Sequence, residues 1–147
     1  MTGHNILLSG ELTAEGHFLT QRVYYEDTDF SGVGYHARYL HFLERGRTDF
    51  LRCLGIEQAN MTEENGDRLS FVVMRMEIDF KSSARMDDIL EIVTSTQSAA
   101  GARLILDQEI RRGQQVLIAA RATIALINAQ GRPRRMPRKL VDCVRPH

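Results

Sequence analysis

The chain has 147 residues, 43% of them apolar, with 19 basic and 19 acidic side chains and a formal net charge of zero. That length fits one domain able to bury a core without metal or disulfide support, and the balanced charge excludes bulk attraction to nucleic acid or to anionic membranes. Two cysteines, Cys53 and Cys143, lack CxxC spacing and the density of a secreted disulfide scaffold, so both read as reduced thiols in a cytoplasmic protein.

In chain order, residues 1–16 are polar and without periodicity and read as a flexible extension, with neither a secretory leader nor any run near the roughly eighteen apolar residues of a membrane span. Residues 17–147 then form one domain. β-Branched and aromatic residues from His17 to Asp27 predict a first strand. An acidic turn (Glu26 to Asp29) and a loop with Ser31, Gly32 and Gly34 lead into a helix that opens near Tyr35 or His36. Tyr39, Leu40, Phe42, Leu43, Phe50, Leu51 and Leu54 recur at spacings of three and four, and Gly55 stands where a helix stop is expected. The apolar arc is wide, so this helix is enclosed on several sides.

Residues 56–67 read as a polar connection, and everything after Arg68 has strand character. Across 69–80, Ser70, Val72, Met74, Met76, Ile78 and Phe80 are predicted to share one face, with Arg75, Glu77 and Asp79 on the other. Further strands are predicted over 89–98, 102–110 and 116–127, the last two joined by a hairpin at Gly113. The small Ala120 and Ala122 leave room for the helix to approach. The order β, α, then four β predicts an α+β domain with one antiparallel sheet curled around one long helix; the alternative is an open sheet with the helix on one surface.

A helix that opens at a glycine-bearing loop leaves its first N–H groups unpartnered and carries partial positive charge there. Beside it stands Asp29. The segment thus supplies a group that polarises a carbonyl and a base or nucleophile that attacks it, which are the needs of acyl hydrolysis.

The segment YYEDTDFSGVGYHARYLHFLERGR, followed by FKSSARMDDILEIVTS, resembles the hotdog-fold acyl-CoA thioesterases of the 4-hydroxybenzoyl-CoA thioesterase class, and most closely the branch associated with the bacterial Tol-Pal system. The resemblance spans roughly 20–137. It implies a five-stranded sheet wrapped around one central helix, a homodimer or homotetramer with the thioester site at a subunit boundary, an acyl-CoA substrate, and no metal or organic cofactor. Residue by residue, it places the catalytic carboxylate on Asp29 and the oxyanion-binding backbone N–H on His36. Spacing alone does not exclude Asp27 or Glu26.

The His36 ring either orients the site or moves a proton, and Tyr25 either faces the acyl pocket or fills the sheet. Gly34 and Tyr35 join Tyr25 as candidate substrate contacts. Glu44, two turns into the helix, reads as an ion-pair partner of Arg45 or Arg47 rather than the attacking acid. His4, His17 and His41 read as surface or packing residues, and no metal-ligand spacing appears. Lys81 and Arg85, and beyond the last strand Arg134, Arg135 and Arg138, are candidates for the phosphates of coenzyme A. An acidic acyl carrier protein would be drawn by the same residues, and the last three also read as a solvated tail. No specific nucleic acid and no membrane insertion are expected. The alternatives to a thioesterase are a hotdog hydratase or dehydratase and a non-catalytic acyl-thioester binder.

Overall fold

A computed structural model describes residues 8–29, 32–33, 36–63 and 65–146. Six antiparallel strands form one sheet: β1 (Glu11–Leu12), β2 (His17–Arg22), β3 (Ser70–Phe80), β4 (Ile89–Ala100), β5 (Arg103–Arg112) and β6 (Gln115–Ile127), ordered β1-β2-β4-β5-β6-β3. A long helix α1 (His36–Cys53) lies over β2 and β4, and a short α2 (Arg138–Val144) closes the chain. The fold class is the expected α+β hotdog arrangement, with six strands where five were expected. The additional one is β1, two residues paired through Glu11↔Phe18 and Leu12↔His17, too short to leave a periodic signal.

Helix α1 ends as its sequence dictates. Gly55 takes a left-handed conformation with φ of 86°, its N–H reaches the Arg52 carbonyl, and the Ile56 N–H reaches back to Leu51 at 2.9 Å. This is a Schellman stop, and buried Ile56 supplies its apolar contact.

Two apolar clusters hold the sheet on the helix. One gathers Tyr39, Phe42 and Leu43 with Leu90, Ile92 and Ile118; the other gathers Phe50 and Leu51 with Leu104, Leu106 and Leu126. Ala120 and Ala122 lie under these side chains, and the helix backbone also comes close to the sheet at Gly46. A Cβ there would stand 2.6 Å from Ile92 Cγ2 and 3.2 Å from Thr94 Oγ1.

Three further expectations change. The first strand stops at Arg22, and Tyr25–Asp27 form a 3-10 turn because Asp27 folds back to accept the Tyr24 N–H at 2.8 Å. In β3 the pairing register shifts between Val73 and Arg75, a bulge that leaves Met74 60% exposed. One extra residue reverses which face looks inward. Leu69 and Phe71 therefore pack on the core before it, and Met76 and Ile78 after it, whereas Ser70 and Val72 leave the expected face. Finally, the basic segment after β6 is anchored: Met136 and Val144 are buried, and the Met136 N–H donates to the Gly101 carbonyl. Among the described residues no helix is long and apolar enough to cross a membrane.

Candidate active site

Asp29 sits at the mouth of a tight loop, its N–H donating to the Val33 carbonyl and its own carbonyl accepting the Gly32 N–H, each at 3.0 Å. The residue is exposed. Val33 forms a bridge with Arg85, so the connection between β3 and β4 is fastened to the loop that carries Asp29. Three residues beyond Val33, His36 opens α1. Its backbone N–H lies in the first turn, where no carbonyl of the helix precedes it to accept a bond. Gly34 and Tyr35, two candidate substrate contacts, lie outside the described residues.

The neighbouring acids are accounted for differently. Asp27 is 3% exposed, with its Oδ1 3.2 Å from Arg38 Nε and its Oδ2 on the Tyr24 N–H. That carboxylate is a structural anchor: with Arg38 Nη2 also reaching the Glu26 carbonyl at 3.4 Å, it ties the acidic turn to the first turn of the helix. Glu26 is exposed on the same turn. Arg38→Ala removes the counter-ion of a buried acid; since Arg38 is about a quarter exposed, the expected loss is about 1–2 kcal/mol of stability, below the cost of a fully buried pair. Turnover should fall more than KM changes, with partial recovery in Arg38→Lys; steady-state kinetics and thermal melts check this.

The His36 ring stacks on Phe80 at 4.5 Å between centroids and 24° between planes, with Tyr39 6.3 Å away. Phe80 ends β3 and Lys81 follows it, anchored by its N–H on the Leu117 carbonyl. Loop, helix start, Phe80, Lys81 and Arg85 thus belong to one end of the sheet. Tyr25 is 76% exposed on the 3-10 turn and fills no part of the sheet. Tyr39 is buried, its hydroxyl accepting the Ala84 N–H, and burial pushes its phenol up from the usual range.

Arg134, Arg135 and Arg138 stand elsewhere. The Arg134 N–H is held by the Leu126 carbonyl, whereas Phe80 pairs with Ile118. Eight residues of β6 separate those points, about 26 Å at strand rise. Arg134 Nε also pairs with Glu63 at 2.8 Å. Glu44 departs from its expected pairing: it accepts the Thr48 hydroxyl at 2.7 Å, while Arg47 turns inward to Gln108 Oε1 at 3.1 Å. Burial lowers the Arg47 guanidinium from its usual value, and Glu44 works against that fall.

His17, read as a surface or packing residue, is fully buried against Asp49 and Cys53, a grouping the sequence analysis missed. The only sequence signal was the four-residue spacing of Asp49 and Cys53 on one helix face.

A hotdog sheet carrying an acid-bearing loop at the helix start defines a thioesterase-like protein. Residues 23–143 match the thioesterase-like superfamily, and the chain belongs to it. It is 43% identical over 107 residues to the acyl-CoA thioesterase YbgC of Haemophilus influenzae, covering 73% of this chain and 77% of that one. The acyl-CoA thioester hydrolase YbgC of Escherichia coli O157:H7 is 38% identical over 122 residues, covering 82% and 89% respectively. The crystal structure of a probable thioesterase from Bartonella henselae superposes with a TM-score of 0.78 at 48% identity, covering 82% of this chain and 98% of that one.

Proposed function

We propose that the protein hydrolyses acyl-CoA thioesters in the cytoplasm, with Asp29 attacking the thioester carbonyl or deprotonating the attacking water, and the His36 backbone N–H holding the oxyanion. The observation that carries this is where the acids lie: Asp27 is buried under Arg38, while Asp29 is exposed in the loop entering α1. In either route the carbonyl π electrons move onto oxygen as the new C–O bond forms. Collapse then expels the thiolate, which takes up a proton; where Asp29 itself attacked, water next cleaves the acyl-Asp29 anhydride, releasing the acid and restoring the carboxylate. One preorganised oxyanion donor is worth about 2.7–4 kcal/mol of barrier, so the amide matters as much as the acid.

The site is completed by a second copy of the chain. Strand β3 is an eleven-residue edge strand that exposes Val73, Met74 and Phe80 at 47%, 60% and 47%. Such an edge invites pairing with another strand, and pairing there brings a second chain beside Phe80 and the helix start. Lys81 and Arg85 stand at the same end for the coenzyme A phosphates. Arg134, Arg135 and Arg138 reach that end only from another subunit. The buried His17–Asp49 pair lends the hydratase reading no support, since neither side chain is exposed to substrate.

A thiol-release assay across acyl-CoAs of different chain length and aromaticity tests the activity: free thiol is expected with at least one member. Loss of enoyl absorbance without thiol would make the protein a hydratase, and retention of CoA with neither signal would make it a binder. Neutralising Lys81 and Arg85 together is expected to raise KM for acyl-CoA by about tenfold, the loss of roughly one charge-assisted contact, with less effect on thioesters that lack the nucleotide.

A further inference from the structure

Three donor groups converge away from the helix start, between β2 and the last turns of α1. His17 Nε2 lies 2.6 Å from Asp49 Oδ2. The same oxygen accepts the Gly10 N–H at 2.7 Å and the Cys53 thiol at 3.6 Å. The imidazole nitrogen, the carboxylate and the sulfur all lie within 4.8 Å of one another. His17 is fully buried and Asp49 is 6% exposed, while Cys53 is half-buried and leaves a way in.

Asp49 Oδ2 thus faces three groups at once, the Gly10 N–H, the Cys53 thiol and His17 Nε2. Among the described residues no Lys or Arg forms an ion pair with it; its partner is His17. A buried carboxylate calls for a paired cation or a metal. His17 Nδ1 is buried and, among the described residues, has no hydrogen-bond partner.

We propose that His17, Asp49 and Cys53 form a site for one divalent transition-metal ion of zinc type. Nitrogen, carboxylate oxygen and thiolate sulfur are the donors zinc favours, and three protein ligands leave one position for water or for the Gly10 carbonyl, 3.7 Å from Cys53 Sγ. Tetrahedral bonds of about 2.0–2.3 Å set neighbouring donors about 3.4 Å apart, so the His17–Asp49 contact opens by less than about 1 Å. On binding, the Cys53 S–H bond breaks and its electron pair goes to the metal while the proton goes to solvent. The ring proton shifts from Nε2 to Nδ1, freeing the Nε2 lone pair. A doubly charged ion beside Cys53 favours its thiolate. The unpartnered Nδ1–H remains a cost and keeps the affinity below that of a four-ligand zinc site.

The test is Co2+ titration of the full chain followed by absorption. One equivalent per chain is expected to produce a thiolate-to-cobalt charge-transfer band, displaced by Zn2+, retained in Cys143→Ser and lost in Cys53→Ser. Zn2+ should raise the melting temperature of the wild type but not of Cys53→Ser, and hydrolysis by Cys53→Ser should match the wild type. Absence of the band in the wild type, or its survival in Cys53→Ser, overturns the proposal.

Discussion

Asp29→Asn is expected to abolish thioester hydrolysis in practical terms while leaving the fold intact. The side chain is exposed, asparagine keeps its shape, and the backbone bonds of residue 29 with Gly32 and Val33 stay in place. Melting temperature should therefore stay within about 2 °C of wild type, as for a surface substitution within about 0.5 kcal/mol. The size of the rate loss separates the two chemical routes. A general base contributes about 10²–10⁴-fold, whereas removal of a covalent nucleophile costs on the order of 10⁶. A drop beyond about 10⁴, together with an acyl adduct on the wild-type chain in rapid-quench intact-mass spectra, assigns the attack to Asp29 itself. A smaller drop with no adduct assigns Asp29 to activating water. Turnover near wild type would remove Asp29 from the chemistry, and Glu26, exposed on the same turn, would be the next acid to replace.

The parts of the structure that were legible in the sequence are those whose information is local. Helix α1 could be read because its apolar residues recur within one segment and Gly55 ends it in place. The proposed acid and oxyanion donor could be read for the same reason: Asp29 and His36 lie on one short stretch of chain. Strand β3 was legible as a strand, but its inward face was not. The bulge near Met74 is set by pairing with β6, and one inserted residue inverts the alternation on one side of it. Strand β1 and helix α2 escaped because two and seven residues carry no period, and partners distant in sequence hold them. The His17–Asp49 contact joins residues 32 positions apart, and nothing local in either announces the other. Arg47 is hidden in the same way, a charged residue in the apolar arc whose partner, Gln108, is 61 positions away.

Gly46→Ala is expected to destabilise the protein, against the ordinary rule for a helix interior. Helix propensity alone favours alanine over glycine by about 1 kcal/mol. Here the new methyl would stand 2.6 Å from Ile92 Cγ2 and 3.2 Å from both Thr94 Oγ1 and Gln108 Nε2. None of the three has slack. Ile92 is fully buried and stiff at χ1, and Gln108 Nε2 is committed to the Leu43 carbonyl at 2.9 Å and to Thr94 Oγ1 at 3.0 Å. Relief must come from moving α1 off β4, which loosens the packing of Phe42 and Leu43 and draws Arg47 from Gln108. Overpacking of this kind costs about 1–3 kcal/mol. Less the propensity gain, the net loss for alanine centres on about 1 kcal/mol, on the order of 2–4 °C for a chain of this size. Gly46→Val, with two further methyls and a branched Cβ, should lose more than alanine does. Because α1 also presents the His36 amide, both variants should lose activity at temperatures where they remain folded. A rise in melting temperature for Gly46→Ala would mean that the helix and sheet are not in close contact at this position, and differential scanning calorimetry of the two variants beside wild type decides it.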